Sequence, residues 1–199
     1  MKRPSPPRSR RSPAALRGLA LALALGLAGW IATARADAVR FHVQAEASDV
    51  TFKATSRLMN ADGRFQRVAG EITVDPKDLT TAKVALSVEA SSIETGIAMR
   101  DNHLRSEDFL DVKQFPRLTF ESDRVQADGR RATVFGRLTV HGVTRDIAVP
   151  VDVDLSESAL VATGEFVINR RDYGIVYQSI LNPIGNEVRV AFTVRGRPS

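Results

Sequence analysis

The sequence predicts a mainly β protein: one antiparallel barrel of about eight strands, closed by one or two short helices. Three observations carry this. From Val39 to Val194 apolar and polar residues alternate in run after run, the period of a strand with one buried face. Most runs are joined by short Gly-, Asp- or Pro-containing turns. The alternation fails badly in only one long stretch, Thr95 to Phe120. One-sided antiparallel strands need a shared interior, and bulges and glycine bends curl such a sheet on itself. A two-sheet sandwich is the alternative, since alternation alone does not separate the two.

In chain order, Val39, Phe41 and Val43 form the first strand, and Val50, Phe52 and Ala54 the second. Met59 to Gly63 reads as a loop with a turn at Asp62-Gly63. Phe65 has one parity and Ile72 and Val74 the other, which places a bulge at Ala69-Gly70. Asp75-Pro76-Lys77-Asp78 is a turn, and Val84, Leu86 and Val88 lie on a long strand ending near Ile93. After the central stretch, Leu118, Phe120 and Val125 lead to a hairpin at Asp128-Gly129. Ala132, Val134, Leu138 and Val140 share a face up to a tight turn at His141-Gly142. Ile147 to Leu155 alternate, with Pro150 lacking a ladder donor and so marking a bulge or an edge. Val161 and Thr163 against Phe166 and Ile168 suggest a second bulge at Gly164-Glu165. Val188, Val190, Phe192 and Val194 are the last strand.

Residues 1–36 stand outside this pattern. A basic segment is followed by a short apolar run, Leu19 to Ile31, and by Ala34-Arg35-Ala36. This is a secretory signal peptide cleaved before Asp37, with residues 37–199 as the domain. The run is short for a membrane span, and no Cys follows it, which excludes a lipoprotein anchor. Ser9-Arg10-Arg11 leaves twin-arginine export as a second route. Seven of the 28 Lys and Arg and none of the 23 Asp and Glu lie in the leader, so the rest carries 21 against 23, a net of −2. The basic character belongs to targeting and gives no support for nucleic-acid binding. The absence of Cys excludes thiol chemistry and Cys-ligated metals. Charged residues such as Asp152, Asp154 and Glu187 lie opposite the apolar parity, so the barrel is soluble, with no membrane span once the leader is removed.

Residues able to do chemistry are few. His42, His103 and His141 are dispersed, with no metal-ligand spacing, and no nucleophile or phosphate-loop motif is present. The densest polar group is Arg100, Asp101, His103, Arg105, Ser106 and Asp108. An enzyme reading makes His103 an acid–base group oriented by Asp101 or Asp108. The favoured reading is a framework that ties the segment down, with Ser106 as a helix N-cap and Arg100 paired to a carboxylate. Asp152 and Asp154 read as a solvated face rather than a cation site, and Asn169 to Gly174 as a loop with a buried Arg–Asp pair. Tyr173 and Tyr177 read as lining a mouth or, the favoured reading, as ordinary packing.

The remaining asset is the interior. Phe52, Phe65, Leu86, Phe120, Ile168 and Phe192 point inward, and Ile97, Leu104 and Phe109 from the central stretch close the end. A barrel lined this way accepts a greasy ligand if hollow, at about 0.8 kcal/mol per buried CH₂.

These residues also carry a family resemblance. Thr95-Gly96, Arg100-Asp101-x-His103-Leu104-x-Ser106-x-Asp108-Phe109, Phe115-Pro116 and Phe120 resemble the signature of the YceI-like family of lipid/polyisoprenoid-binding proteins. Gly63-Arg64-Phe65 with Gly70-Glu71-Ile72, the run Gly136 to Thr144, Phe166 to Arg170 with Asp172 to Ile175, and Gly185 to Val188 are similar to further family segments. Leu110 stands where a second Phe is common and Phe115 where Tyr is common, both keeping apolar bulk. The resemblance implies a lipocalin-like barrel in the bacterial periplasm, holding an isoprenoid chain such as a quinone tail. It implies a lipid ligand rather than a cofactor, no agreed catalytic residues, and leaves a homodimer open. An enzyme acting on a lipid or small metabolite, and a structural or stress-linked envelope protein with a filled barrel, are the alternative readings.

Overall fold

The computed structural model describes residues 38–58 and 60–199. The expected leader, residues 1–36, and its cleavage point before Asp37 lie outside the described residues. The described residues contain eleven strand segments: β1 (Val39–Val43), β2 (Asp49–Ser56), β3 (Ala61–Phe65), β4 (Val68–Asp75), β5 (Asp78–Glu89), β6 (Ile93–Glu94), β7 (Arg117–Asp128), β8 (Arg131–Val140), β9 (Val143–Leu155), β10 (Leu160–Asn169) and β11 (Ile184–Pro198). One α-helix, α1 (Ala98–Arg105), interrupts them, with short 3-10 turns at Ala45–Ala47, Ala90–Ser92 and Arg170–Tyr173. Among the described residues no helix is long and apolar enough to cross a membrane.

Eleven segments make eight staves. On one edge β11 pairs with β2 through Val190↔Phe52 and then with β1 through Arg197↔His42. On the next, β3 pairs with β2 and β4 with β1. Thus β1–β2, β3–β4 and β5–β6 are three broken staves, and β7 to β11 follow as an antiparallel meander that closes on β1 and β2. The breaks keep their backbone partners. The Gln44 amide donates to the Arg195 carbonyl, and the Ser48 hydroxyl accepts from the Arg195 amide. At the next break the buried Ser92 hydroxyl accepts from the Arg67 amide and donates to the Glu89 carbonyl. Closure leaves no free sheet edge along most of the wall.

Apolar side chains line the interior from two ends. Phe41, Ile72, Val74, Leu160 and Val194 form one buried cluster, and Val125, Ala132, Val134, Val149 and Val151 another beside it. Phe65, Ile93, Phe109, Leu110, Val140, Tyr173 and Ile175 pack at the opposite end, where α1 lies. Each such Phe, Val or Leu contributes about 1.5–3 kcal/mol by leaving water.

Several expectations are corrected here. β10 carries no bulge: its register with β11 runs unbroken from Leu160↔Gly196 to Asn169↔Glu187. Leu160, Ala162, Gly164, Phe166 and Ile168 share the inward parity, and Val161 faces the other way. Gly164 is glycine because the Phe192 ring lies against it; a Cβ there would stand 2.6 Å from Phe192 Cζ and 2.5 Å from the Pro150 carbonyl. Gly63 is likewise inside β3, opposite Phe52, and not in a turn. Gly70 stays in the ladder opposite Leu86; the stave breaks earlier, between Phe65 and Val68, and the register shift falls at Thr73/Asp75. Pro150 marks an edge: the β9–β10 ladder ends at Val151↔Gly164, while β8–β9 continues through it. The hairpin at His141-Gly142 has both residues at positive φ, 49° and 71°, the two-residue turn that suits strand twist.

Candidate functional site

α1 is only eight residues long, too short to stand alone. It is fixed by its polar side chains. Asp101, buried, accepts from the Thr95 amide at 2.8 Å and the Thr95 hydroxyl at 2.5 Å. Arg100 donates to the Thr95 hydroxyl and carbonyl and to the Asn60 carbonyl, so the expected carboxylate partner is replaced by neutral oxygens. Arg105 donates to the carbonyls of Ser91 and Ile93. Ser106 sits at the C-terminal end of α1, not at its start, with its hydroxyl on the His103 carbonyl at 2.7 Å. The framework role is right, but the direction of the cap is reversed: the helix begins at Ala98, ahead of the charged run.

α1 and the segment after Arg170–Tyr173 close one end of the barrel and leave space beneath. The deep chamber, of about 190 Å³, is lined by Phe65, Leu86, Phe120, Ile168 and Phe192 together with Val and Ile residues of β4, β8 and β9. Its wall is apolar apart from Thr119. The mouth chamber, of about 340 Å³, is lined by Phe52, Phe65, Leu104, Phe109 and Ile168, and by the polar Arg100, His103, Arg170, Tyr177, Ser179 and Asn182. Both walls contain Phe65, Leu118, Val140, Ile168 and Val190, so the chambers adjoin at that belt. Of the nine inward residues read from the sequence, only Ile97 lines neither chamber; it precedes α1 and is 43% exposed.

Sequence reasoning underrated the polar side of the mouth. Arg170 is 3% exposed, and among the described residues its hydrogen-bond acceptors are carbonyl oxygens rather than a carboxylate. It donates to the carbonyls of Ile175 at 2.6 Å, Gly185 at 3.0 Å and Ile184 at 3.3 Å, and to Gln178 Oε1 at 3.0 Å. The buried Arg–Asp pair is therefore corrected to an Arg held by carbonyls, which can bend to meet all sides of a guanidinium. Burial, with the nearby Arg171 charge, pushes its pKa down. Tyr177 packs against both His103 and Phe109, with ring centroids 4.9 and 5.0 Å away, while also lining the mouth. The break in alternation at Asn169-Arg170 was the signal; its partners lie further along the chain, at Ile175, Gln178 and the start of β11.

His103 Nε2 lies 3.1 Å from Asp108 Oδ2; His103 lines the mouth chamber and Asp108 sits outside the lining. Asp154 and Asp152 meet Arg130 and Arg131 on the outside of the barrel at 3.2 and 3.8 Å. Among the described residues no three His, Asp or Glu side chains gather as a metal site.

The described residues thus define a closed antiparallel barrel of eight staves, with an apolar chamber behind a polar, cationic mouth. The YceI-like domain matches residues 41–195, and the chain belongs to that family. A UPF0312 protein of Pseudomonas aeruginosa is 34% identical over 140 residues, covering 67% of this chain and 72% of the relative. Protein YceI of Salmonella arizonae is 31% identical over 147 residues with the same coverage. Among solved structures, BcnA of Burkholderia cenocepacia aligns with a TM-score of 0.71 at 22% identity, covering 77% of this chain and 98% of BcnA. A domain from Saccharophagus degradans described as polyisoprenoid-binding aligns at 0.67 and 19%, covering 81% and 99%. At these identities the structures speak for the fold.

Proposed function

We propose that the protein is a periplasmic carrier that holds a polyisoprenoid, quinone-like or other long-chain amphiphilic lipid inside the barrel. The observation that carries this is the pair of adjoining chambers. The deep one offers an almost wholly apolar wall, and the mouth presents Arg100, His103, Arg170 and Tyr177 with, among the described residues, no carboxylate in its lining. The tail occupies the deep chamber along Leu86, Phe120 and Phe192, passes the Phe65–Ile168 belt, and leaves an oxygen-bearing head at the mouth. Leu104 and Phe109 close over it. About ten buried CH₂ groups give roughly 8 kcal/mol gross, the micromolar range before ordering costs. The polyisoprenoid binding described for the Saccharophagus degradans domain and the leader read in residues 1–36 support the ligand class and the compartment. The test is solvent extraction of the protein purified from its envelope fraction, followed by mass spectrometry. One long-chain lipid class at near one per chain is expected; recovery of no lipid, with the chambers filled by side chains in a crystal structure, would sink the proposal.

A second reading rests on His103 of the mouth wall, which has Asp108 beside it at 3.1 Å outside the lining: acid–base catalysis on a bound lipid or metabolite. His103→Gln separates the two. A carrier keeps the same bound lipid; an enzyme accumulates a chemically distinct, unprocessed one.

A further inference from the structure

We propose that the rim of the mouth docks on the face of an anionic phospholipid bilayer. The purpose of the contact rests on the carrier reading, but the observations behind it are separate. Among the described residues seven large apolar side chains are exposed, and six of them, Leu58, Ile97, Met99, Val176, Ile180 and Leu181, lie on three segments at the mouth. Ile180 is 94% exposed, Leu181 84%, Met99 83% and Leu58 73%.

These segments are joined to one another. The Leu58 amide donates to Asn182 Oδ1 at 2.9 Å, and the Arg57 amide to the Pro183 carbonyl at 3.2 Å. Arg100 of α1 reaches the Asn60 carbonyl at 3.1 Å, and Tyr177 packs on His103. The same segments give Arg100, Tyr177, Ser179 and Asn182 to the wall of the mouth chamber. The exposed apolar side chains therefore surround the opening of a hydrocarbon-lined space. A single exposed Leu is ordinary; a set gathered around one opening marks a contact surface.

Charge selects the partner. Residues 57–60, 95–100 and 173–186 contain Arg57 and Arg100 and no Asp or Glu, on a domain whose acids outnumber its bases. Of the acids in α1 and the turn after it, Asp101 is buried on Thr95, Asp108 faces His103, and Glu107 is exposed. An apolar, weakly cationic rim complements an anionic lipid surface. Single side chains projecting from loops enter a fluid interface without needing matching pockets. Seating the mouth there would let a lipid pass between bilayer and barrel without crossing water.

The test uses the compact unit Ala36–Ser199, which contains all the strand pairings and cores described above. It is sedimented with phosphatidylethanolamine–phosphatidylglycerol vesicles and, separately, with phosphatidylcholine vesicles. Binding to the first, weaker binding to the second, and loss with added salt are expected. Ile180→Ser with Leu181→Ser should lower the partition about tenfold or more, with melting temperature and bound lipid unchanged. Absence of wild-type binding, or a double variant that binds like the wild type, overturns the proposal. So does a wild type that ignores vesicles and instead forms a dimer that the double variant loses, which assigns the rim to a second copy. A wild type that binds vesicles but yields no lipid on extraction supports the docking and removes the carrier reading alone.

Discussion

Arg170→Ala tests whether one buried side chain holds the closing segment of the barrel. Arg170 is 3% exposed, and its guanidinium donates four hydrogen bonds, three of them to the carbonyls of Ile175, Ile184 and Gly185. Those carbonyls stand at the two feet of the segment that carries Tyr177 to Asn182. Truncation leaves them short of a donor, at about 1–3 kcal/mol for each that stays buried. Two effects offset this: the cost of burying an unpaired guanidinium disappears, and water entering from the mouth chamber supplies some donors. We therefore expect a net loss of about 3 kcal/mol, the lower end for breaking a buried charged network, or roughly 6–12 °C in Tm for a domain of this size. Urea and thermal unfolding followed by circular dichroism read this directly. Arg170→Lys, with one compact ammonium in place of the fork, should recover about half of the loss. Arg170→Met fills the volume without donors and should resemble Arg170→Ala. A loss under about 1 kcal/mol in Arg170→Ala, or wild-type stability in Arg170→Met, would refute the argument.

Three further outcomes are expected. Gly164→Ala should cost about 1–3 kcal/mol, because the new Cβ meets the Pro150 carbonyl and the Phe192 ring at 2.5 and 2.6 Å; chemical denaturation measures it. Val149→Phe extends a ring into the deep chamber of about 190 Å³. Its stability should stay within about 1.5 kcal/mol of wild type, while the longest tail recovered by extraction shortens. Tyr173 has its pKa raised, first by burial, with Arg145 opposing and Asp172 adding. The neutral phenol is the favoured folded form, so its contribution is complete below the ordinary tyrosine range near about pH 10 and is lost as the pH rises through the higher folded value. Stability should therefore fall above about pH 10, and Tyr173→Phe should flatten that slope in alkaline melting curves.

The sequence by itself determined the class of fold and the greasy interior. Alternation over Val39 to Val194 requires strands with one buried face, and Phe52, Phe65, Leu86, Phe120, Ile168 and Phe192 are found in the chamber walls for that reason. The hairpins at Asp128-Gly129 and His141-Gly142 were legible because turn chemistry is local. Three matters were decided only by tertiary structure. Gly63 and Gly164 read as turn or bulge signals, yet each makes room for a phenylalanine ring on the neighbouring stave, and a sequence does not say which strand will lie alongside. Arg170 looked ready for an Asp two residues away, but its partners are the carbonyls of residues 175, 184 and 185, set by how the chain returns to the barrel. Ile97 has the right character for the lid, but it lies just ahead of α1 and faces outward, since the helix is oriented by Asp101, Arg100 and Arg105 rather than by its apolar residues. Periodicity fixes which face of a strand is buried, a property of the backbone's own geometry. Which atoms meet across that face depends on stave neighbours and on the closing segments, which only the folded chain brings together.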